Sequence, residues 1–180
     1  MSDDATMLSK LCISCGLCCS GALFADVRLH KKDDIQSLDE AGLAIEERGK
    51  NLHLLQPCPA PHRGRCGVYE TRPTNCRRFI CTVATRVKNK DLNLDEATKV
   101  IRNAKQRISR LEKLLEQLGN HETDLPITWR YEDVFAQPWD SDASGDLFEK
   151  RSRLYRMSTS LAQFLDSNFM QPAVSDQPER

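Results

Sequence analysis

The sequence predicts an α+β fold: a small, irregular core organised around cysteines, with a C-terminal helical hairpin packed on or beside it. Three observations predict this. All eight cysteines of the 180-residue chain fall within the first 81 residues. A helix-opening signature at Asn93 begins a long apolar stripe of helical period. A second stripe of the same period closes the chain. The expected division is therefore residues 1–92 as a cysteine-cluster unit, 93–169 as the helical hairpin, and 170–180 as a disordered tail.

Each element has its own reason. The chain opens on a cysteine loop, residues 12–21, after which VRLH (27–30) reads as a short strand. DDIQSLDEAG (33–42) reads as a short helix with Asp33 or Asp34 near its cap and Gly42 at its end. LHLLQ (52–56) reads as a buried strand running into Pro57-Cys58-Pro59. From Pro57 to Pro73 the chain is rich in Pro, Gly and Arg, which predicts a tight, stapled loop. Asn93 then stands as N-cap with Glu96 three residues on, a capping box. Behind it Ala97, Val100, Ile101, Ala104, Ile108, Leu111, Leu114, Leu115 and Leu118 recur mostly at steps of three and four, until Gly119-Asn120 stops the helix. Residues 121–145 form a connection whose Trp129, Tyr131, Phe135 and Trp139 can pack against neighbours. A second helix is expected over 146–169, with Leu147, Leu154, Met157, Leu161, Phe164 and Leu165 facing inward. Packing between the two helices explains both stripes better than a coiled-coil seam.

Composition narrows the class. The chain is 39% hydrophobic and 29% charged with a net charge of zero, so bulk charge names no partner. No apolar run approaches the ~20 residues that span a bilayer, so no membrane partner is expected. The N-terminal MSDDATMLSK has neither the basic nor the apolar region of a secretory signal. The expected localisation is cytoplasmic, where clustered thiols more often ligate metal or do redox chemistry than form disulfides. Charge is uneven along the chain: residues 1–61 carry a net −3, 62–113 a net +9 and 114–180 a net −6. The basic segment 62–113 is a candidate contact for an anion or nucleic acid. Pairing with acidic residues elsewhere, or plain solvation, explains it more simply, because no nucleic-acid module surrounds it.

The cysteines carry the chemistry. Cys12-x2-Cys15-x2-Cys18 is the spacing with which one loop wraps three corners of a cubane iron–sulfur cluster. Cys19 follows directly, and adjacent cysteines rarely bond each other because the resulting eight-membered ring is strained. Adjacent side chains also diverge, so one of Cys18 and Cys19 is expected to face a first site while the other reaches a second or lies behind it. A second block, Cys58-x7-Cys66-x9-Cys76-x4-Cys81, brings the total to two sets of four. That suffices for two all-cysteine zinc sites, two clusters, or one of each. The spacing leaves open the metal and the division of thiols between centres.

Arg63, Arg65, Arg72, Arg77 and Arg78 lie among these cysteines. Guanidinium groups beside thiolates lower thiol pKa values and offset the charge. Arg72, Arg77 and Arg78 are the candidates for contact with a cofactor or a substrate anion. Of the four histidines, His62 is four residues from both Cys58 and Cys66. With eight thiols at hand it reads better as a hydrogen-bonding or surface residue than as a ligand. No Ser/His/Asp or Cys/His catalytic grouping and no phosphate loop stands out.

C-x2-C-x2-C-C, then P-C-P, then CGVYETRPTNCRRFIC (66–81) resembles the CxxCxxCC family of YkgJ-type cysteine-cluster proteins. The second block matches at Cys66, Val68, Tyr69, Arg72, Pro73, Cys76, Arg77, Phe79 and Cys81. The resemblance implies zinc or iron chelation by all eight cysteines. A larger relative in that group, the flagellin lysine methylase, uses S-adenosylmethionine; this chain is much shorter, and its sequence gives no support for that cofactor. Three readings follow: a metal-binding protein holding zinc or iron–sulfur, with a redox or cluster-dependent reaction; an S-adenosylmethionine-dependent methyl-transfer enzyme using an iron–sulfur cluster; and a zinc-stapled module whose basic helix binds a protein or RNA partner. The substrate, whether small molecule, protein or RNA, is not named by the sequence.

Overall fold

A computed structural model describes residues 3–62, 65–138 and 145–170, with residues 3–7, 62 and 65 described by their backbone alone. It has two hydrophobic clusters, one under a small sheet and one among helices. The elements run α1 (Asp3–Cys15), β1 (Asp26–Arg28), α2 (Ile35–Glu40), β2 (Ile45–Arg48), β3 (Asn51–Leu55), β4 (Pro61–His62), β5 (Arg65–Cys66), α3 (Thr74–Arg78), α4 (Thr82–Lys88), α5 (Leu94–Gln117), α6 (Ile127–Ala136) and α7 (Gly145–Phe169).

The sheet is antiparallel in the order β1-β3-β2. Its central strand is the LHLLQ run expected to be buried: Leu54 lies opposite both Val27 and Ile45 and is 1% exposed. Leu29, Leu38 and Leu43 complete that cluster, so α2 and the turns around it cover one face of the sheet. Asp34 caps α2, its carboxylate accepting from the Ser37 N–H at 3.1 Å. Strand β2 was not expected from the sequence; its alternation is weak because only Ile45 is even half-buried.

The helical cluster is built on α5, which packs against α7, α6, α4 and α1. Its N-terminus is the expected capping box, with Asn93 Oδ1 accepting from Glu96 N and Glu96 Oε2 accepting from Asn93 N. Of the apolar stripe, Ala97, Ile101, Ala104, Leu111, Leu114 and Leu115 are buried, and Val100, Ile108 and Leu118 pack against them half-buried. From α7, Leu154, Leu161 and Leu165 face the same cluster.

The first cysteine segment and the connection after Asn120 also differ from expectation. The cysteine loop begins inside a helix, because α1 runs through Cys12 and Cys15 before the chain turns. The connection after Asn120 contains α6, where Ile127, Arg130 and Val134 are buried at helical spacing. Arg130, 2% exposed, is held by Asn120, donating from Nε to the Asn120 Oδ1 at 3.0 Å. Arg151 of α7 donates to the Gln137 carbonyl at 3.0 Å, placing a cation where the chain leaves α6. The expected packing of Trp139, and the tail beyond residue 170, lie outside the described residues. Leu11, Leu17, Ala22, Val83 and Val87 share the cluster of the long helices, so the cysteine-bearing segments rest on that core.

Leu115 is 0% exposed, so Leu115→Ala is expected to cost about 2–5 kcal/mol by leaving a cavity. Leu118→Ala, at a half-buried position, is expected to cost less. Urea unfolding of both variants checks the order.

Candidate metal centre

The thiols come from six places in the fold. Cys12 and Cys15 stand three apart in the last turn of α1, which puts them on one face. Gly16 then takes φ +67°, a conformation that side chains disfavour, and the chain reverses so that Cys18 and Cys19 return beside the helix end. Leu17, 2% exposed, pins this turn in the helical core. Gly21, at φ +74°, lies so close to Pro126 that a Cβ there would sit 3.2 Å from the proline Cα, which fixes the loop against the start of α6. The Lys105 ammonium of α5 donates to the Ser14 carbonyl at 2.7 Å, a cation at the C-terminal end of α1.

The second block folds back onto the first. The Cys58 N–H donates to the Cys19 carbonyl at 2.8 Å. Cys66 lies in β5 opposite Pro61, and the Gly67 N–H donates to the Ala60 carbonyl at 2.8 Å, which folds Cys66 towards Cys58. Cys76 lies on α3, and that short helix is tied to the sheet side. Asp33 Oδ1 accepts from Thr74 N at 2.8 Å and from Thr74 Oγ1 at 2.6 Å, and Asn75 Nδ2 donates to the Arg28 carbonyl at 2.6 Å. Cys81 is the N-cap of α4, its sulfur accepting from Ala84 N at 3.4 Å. The Phe24 and Phe79 rings meet edge to face at 4.8 Å, which holds the first cysteine segment to the second.

All eight are free thiols; Cys12 is exposed and the others are half-buried. Burial is the main reason the protons of Cys12, Cys15, Cys18, Cys19, Cys58, Cys76 and Cys81 are held tightly, and for all of these but Cys81 neighbouring thiols add to it. Cys12 is pushed up by burial and by Cys81. Cys15 is pushed up to about 11 by burial, with Cys81 and Cys12 adding and the Leu17 N–H opposing. Cys18 is raised further, by burial and then by Cys15, Cys19, Cys81 and Cys12. Cys19 rises to about 11 through burial, Cys58, Cys66 and Cys15. Cys76 rises to about 12 through burial, Cys19, Cys58 and Cys66. Burial also raises Cys58, with Cys66 adding, and raises Cys81 against the pull of the Ala84 and Val83 N–H groups.

Among the described residues, no three ligand-type side chains already form a closed metal cage. The thiols lie within reach of one another's charge and stop short of that geometry. A set of sulfur donors that disfavour one another's ionisation suits a soft cation, which removes both the protons and the repulsion.

Of the arginines singled out in sequence, Arg72 reaches the thiols. Its guanidinium stacks on the Tyr69 ring, 3.7 Å from the centroid, and donates from Nε to the Tyr69 carbonyl. From there it favours ionisation of Cys12, Cys19 and Cys76. Arg77 and Arg78 are exposed in the last turn of α3. The side chains of His62, Arg63 and Arg65 lie outside the described residues. His53 is engaged with Asp26 at 2.7 Å, and His121 is exposed.

Residues 11–110 match a family model, CxxCxxCC, described as a "Putative zinc- or iron-chelating domain". The chain belongs to the CxxCxxCC family. It matches no curated protein and no solved structure. The CxxCxxCC match extends past Cys81 into α5, and the fold gives a reason: α5 packs on α1 and α4, and Lys105 closes the end of the Cys12–Cys15 helix. Sequence reasoning passed over Lys105, Phe24 and Asp33 as supports. Only Asp33 had left a local signal, as a candidate cap, and besides the nearby His30 N–H it binds Thr74, 41 residues away.

Asp33 offers a test of how α3 is held. It is 9% exposed, and although burial alone would raise its pKa, hydrogen bonds from Thr74 and His30 hold the carboxyl below the usual range. Asp33→Ala is expected to cost about 1–3 kcal/mol by orphaning those donors. The carboxylate's contribution is complete above about pH 4 and disappears as pH falls through the lowered folded-state pKa. Unfolding of wild type and variant measured across that range checks this; a gap that stays constant on acidification contradicts it.

Proposed function

We propose that this chain is a thiolate metal protein that holds iron, as iron–sulfur, through Cys12, Cys15, Cys18, Cys19, Cys58, Cys66, Cys76 and Cys81, in a reducing compartment such as the cytoplasm. The observation that carries the reading is the convergence of eight free thiols from distant segments, each of several raising its neighbours' proton affinity. Family membership supplies zinc or iron chelation. The Cys12-x2-Cys15-x2-Cys18 run favours iron–sulfur, because zinc sites prefer paired two-cysteine knuckles and only the first block has that spacing.

Bound iron–sulfur supplies one-electron chemistry. The chain's own residues prepare the place. The N-terminus of α4 directs N–H groups at the Cys81 sulfur, which offsets part of the cost of burying a thiolate there. Arg72, held on Tyr69, offsets part of the sulfur charge. The Leu17 N–H favours the Cys15 thiolate, and Lys105 adds to it from α5. Leu11 and Leu17 anchor the Cys12–Cys19 segment in the helical core.

Anaerobic purification followed by metal and acid-labile sulfide analysis and a visible spectrum tests the proposal. Iron with sulfide and visible charge-transfer absorption is the expected result. Colourless protein with stoichiometric zinc overturns the iron–sulfur form, and protein lacking metal overturns thiolate ligation altogether. Protons compete with the metal for sulfur, so the fraction of metal retained on dialysis is expected to fall as the pH is lowered from about 8 to about 5. Retention unchanged across that range contradicts ligation by thiolate.

A further inference from the structure

We infer that the eight cysteines form two four-thiol metal centres, one made by Cys12, Cys15, Cys18 and Cys81 and the other by Cys19, Cys58, Cys66 and Cys76. The inference deepens the thiolate reading above and rests on it.

Chain connectivity and packing define the first set. Cys12 and Cys15 share the last turn of α1, and Cys18 follows the Gly16 reversal. α4 packs against α1 and carries Cys81 at its N-cap, so the fourth thiol is delivered to the face that holds the first three. Cys15 and Cys81 both pack on the helical core.

The second set stands on the sheet. Cys19 is bonded through its carbonyl to the Cys58 N–H, and the β4–β5 ribbon returns Cys66 to Cys58. Asn75, bonded to the Arg28 carbonyl, anchors the α3 helix of Cys76 beside β1. Cys58 packs on the small core beneath the sheet.

Four sulfurs per set equals the coordination number of a structural zinc and the number of corners of a cubane cluster. Each centre would therefore take one soft-metal group of that class. The peptide joining Cys18 to Cys19 sets their Cα atoms about 3.8 Å apart, so the centres are close neighbours.

Metal content of the purified protein and three double variants tests the division. Cys12→Ser with Cys81→Ser, and separately Cys58→Ser with Cys66→Ser, are each expected to keep about half the wild-type metal. Cys66→Ser with Cys81→Ser, which takes one thiol from each set, is expected to keep almost none. A cross-set pair that retains half overturns the division.

A second measurement avoids variants that fail to fold. Wild-type protein is stripped by graded chelation while its thiols are alkylated, and labelled positions are read by mass spectrometry. Cys81 is expected to label in step with Cys12 and Cys15, and Cys58 in step with Cys66 and Cys76. Labelling of Cys81 in step with Cys58, or of all eight as one set, overturns the division while leaving thiolate ligation standing. Wild type that carries no metal overturns ligation itself, and the division with it.

Discussion

Sulfur crowded against sulfur in a half-buried space is the constraint on which this structure turns. Protonated, the thiols can share that space at modest cost. Ionised, each disfavours the next, as the upward pull of Cys58 and Cys66 on Cys19 and Cys76 shows. A thiolate cluster in such surroundings needs a cation. The supporting groups, Arg72 on its tyrosine platform, Lys105 at the end of α1 and the N–H groups of α4, supply partial or single charges. On the proposed ligation a metal would supply the remainder, and ligation energies of about 10–16 kcal/mol in small zinc domains match the whole stability of a typical fold, about 5–15 kcal/mol. Metal binding and folding would then be one problem for the cysteine-bearing segments.

The two hydrophobic clusters make this concrete. The sheet cluster is small, four buried leucines under three short strands, and β4 and β5 are two residues each. Such elements bury little surface against the entropy of ordering a loop of this length. The helical cluster has the long stripe of α5 at its centre and stands on apolar burial. Between the two runs the cysteine chain, whose few supports join segments far apart in sequence: Asp33 ties α3 to the turn after β1, and Phe24 meets Phe79. On the proposed ligation, metal would stitch the weaker half of the molecule to itself and to the stronger half.

What was legible in the sequence follows the range of each interaction. The Asn93–Glu96 capping box and the α5 stripe are local signals, and α5 begins and ends where they place it. The buried LHLLQ strand and the short α2 helix were equally local. Helix α1 was masked because its cysteines invited a loop reading, although Leu8, Leu11, Cys12 and Cys15 already stand at helical steps. α6 was hidden by the aromatic and proline content of its segment, while Ile127, Arg130 and Val134 carry the period. The cysteines themselves were plain, and with Tyr69, Arg72, Pro73 and Phe79 around them they carried the resemblance to their family. The arrangement of Cys81 against α1, or of Cys76 beside β1, depends on α4 and α3 docking across dozens of residues. No local pattern encodes that.

X-ray absorption at the metal edge of the purified protein is the most direct measurement of the central claim. An inner shell of sulfur alone, four per metal atom, at distances usual for thiolate or sulfide, is the predicted result. Nitrogen or oxygen ligands in that shell would contradict it.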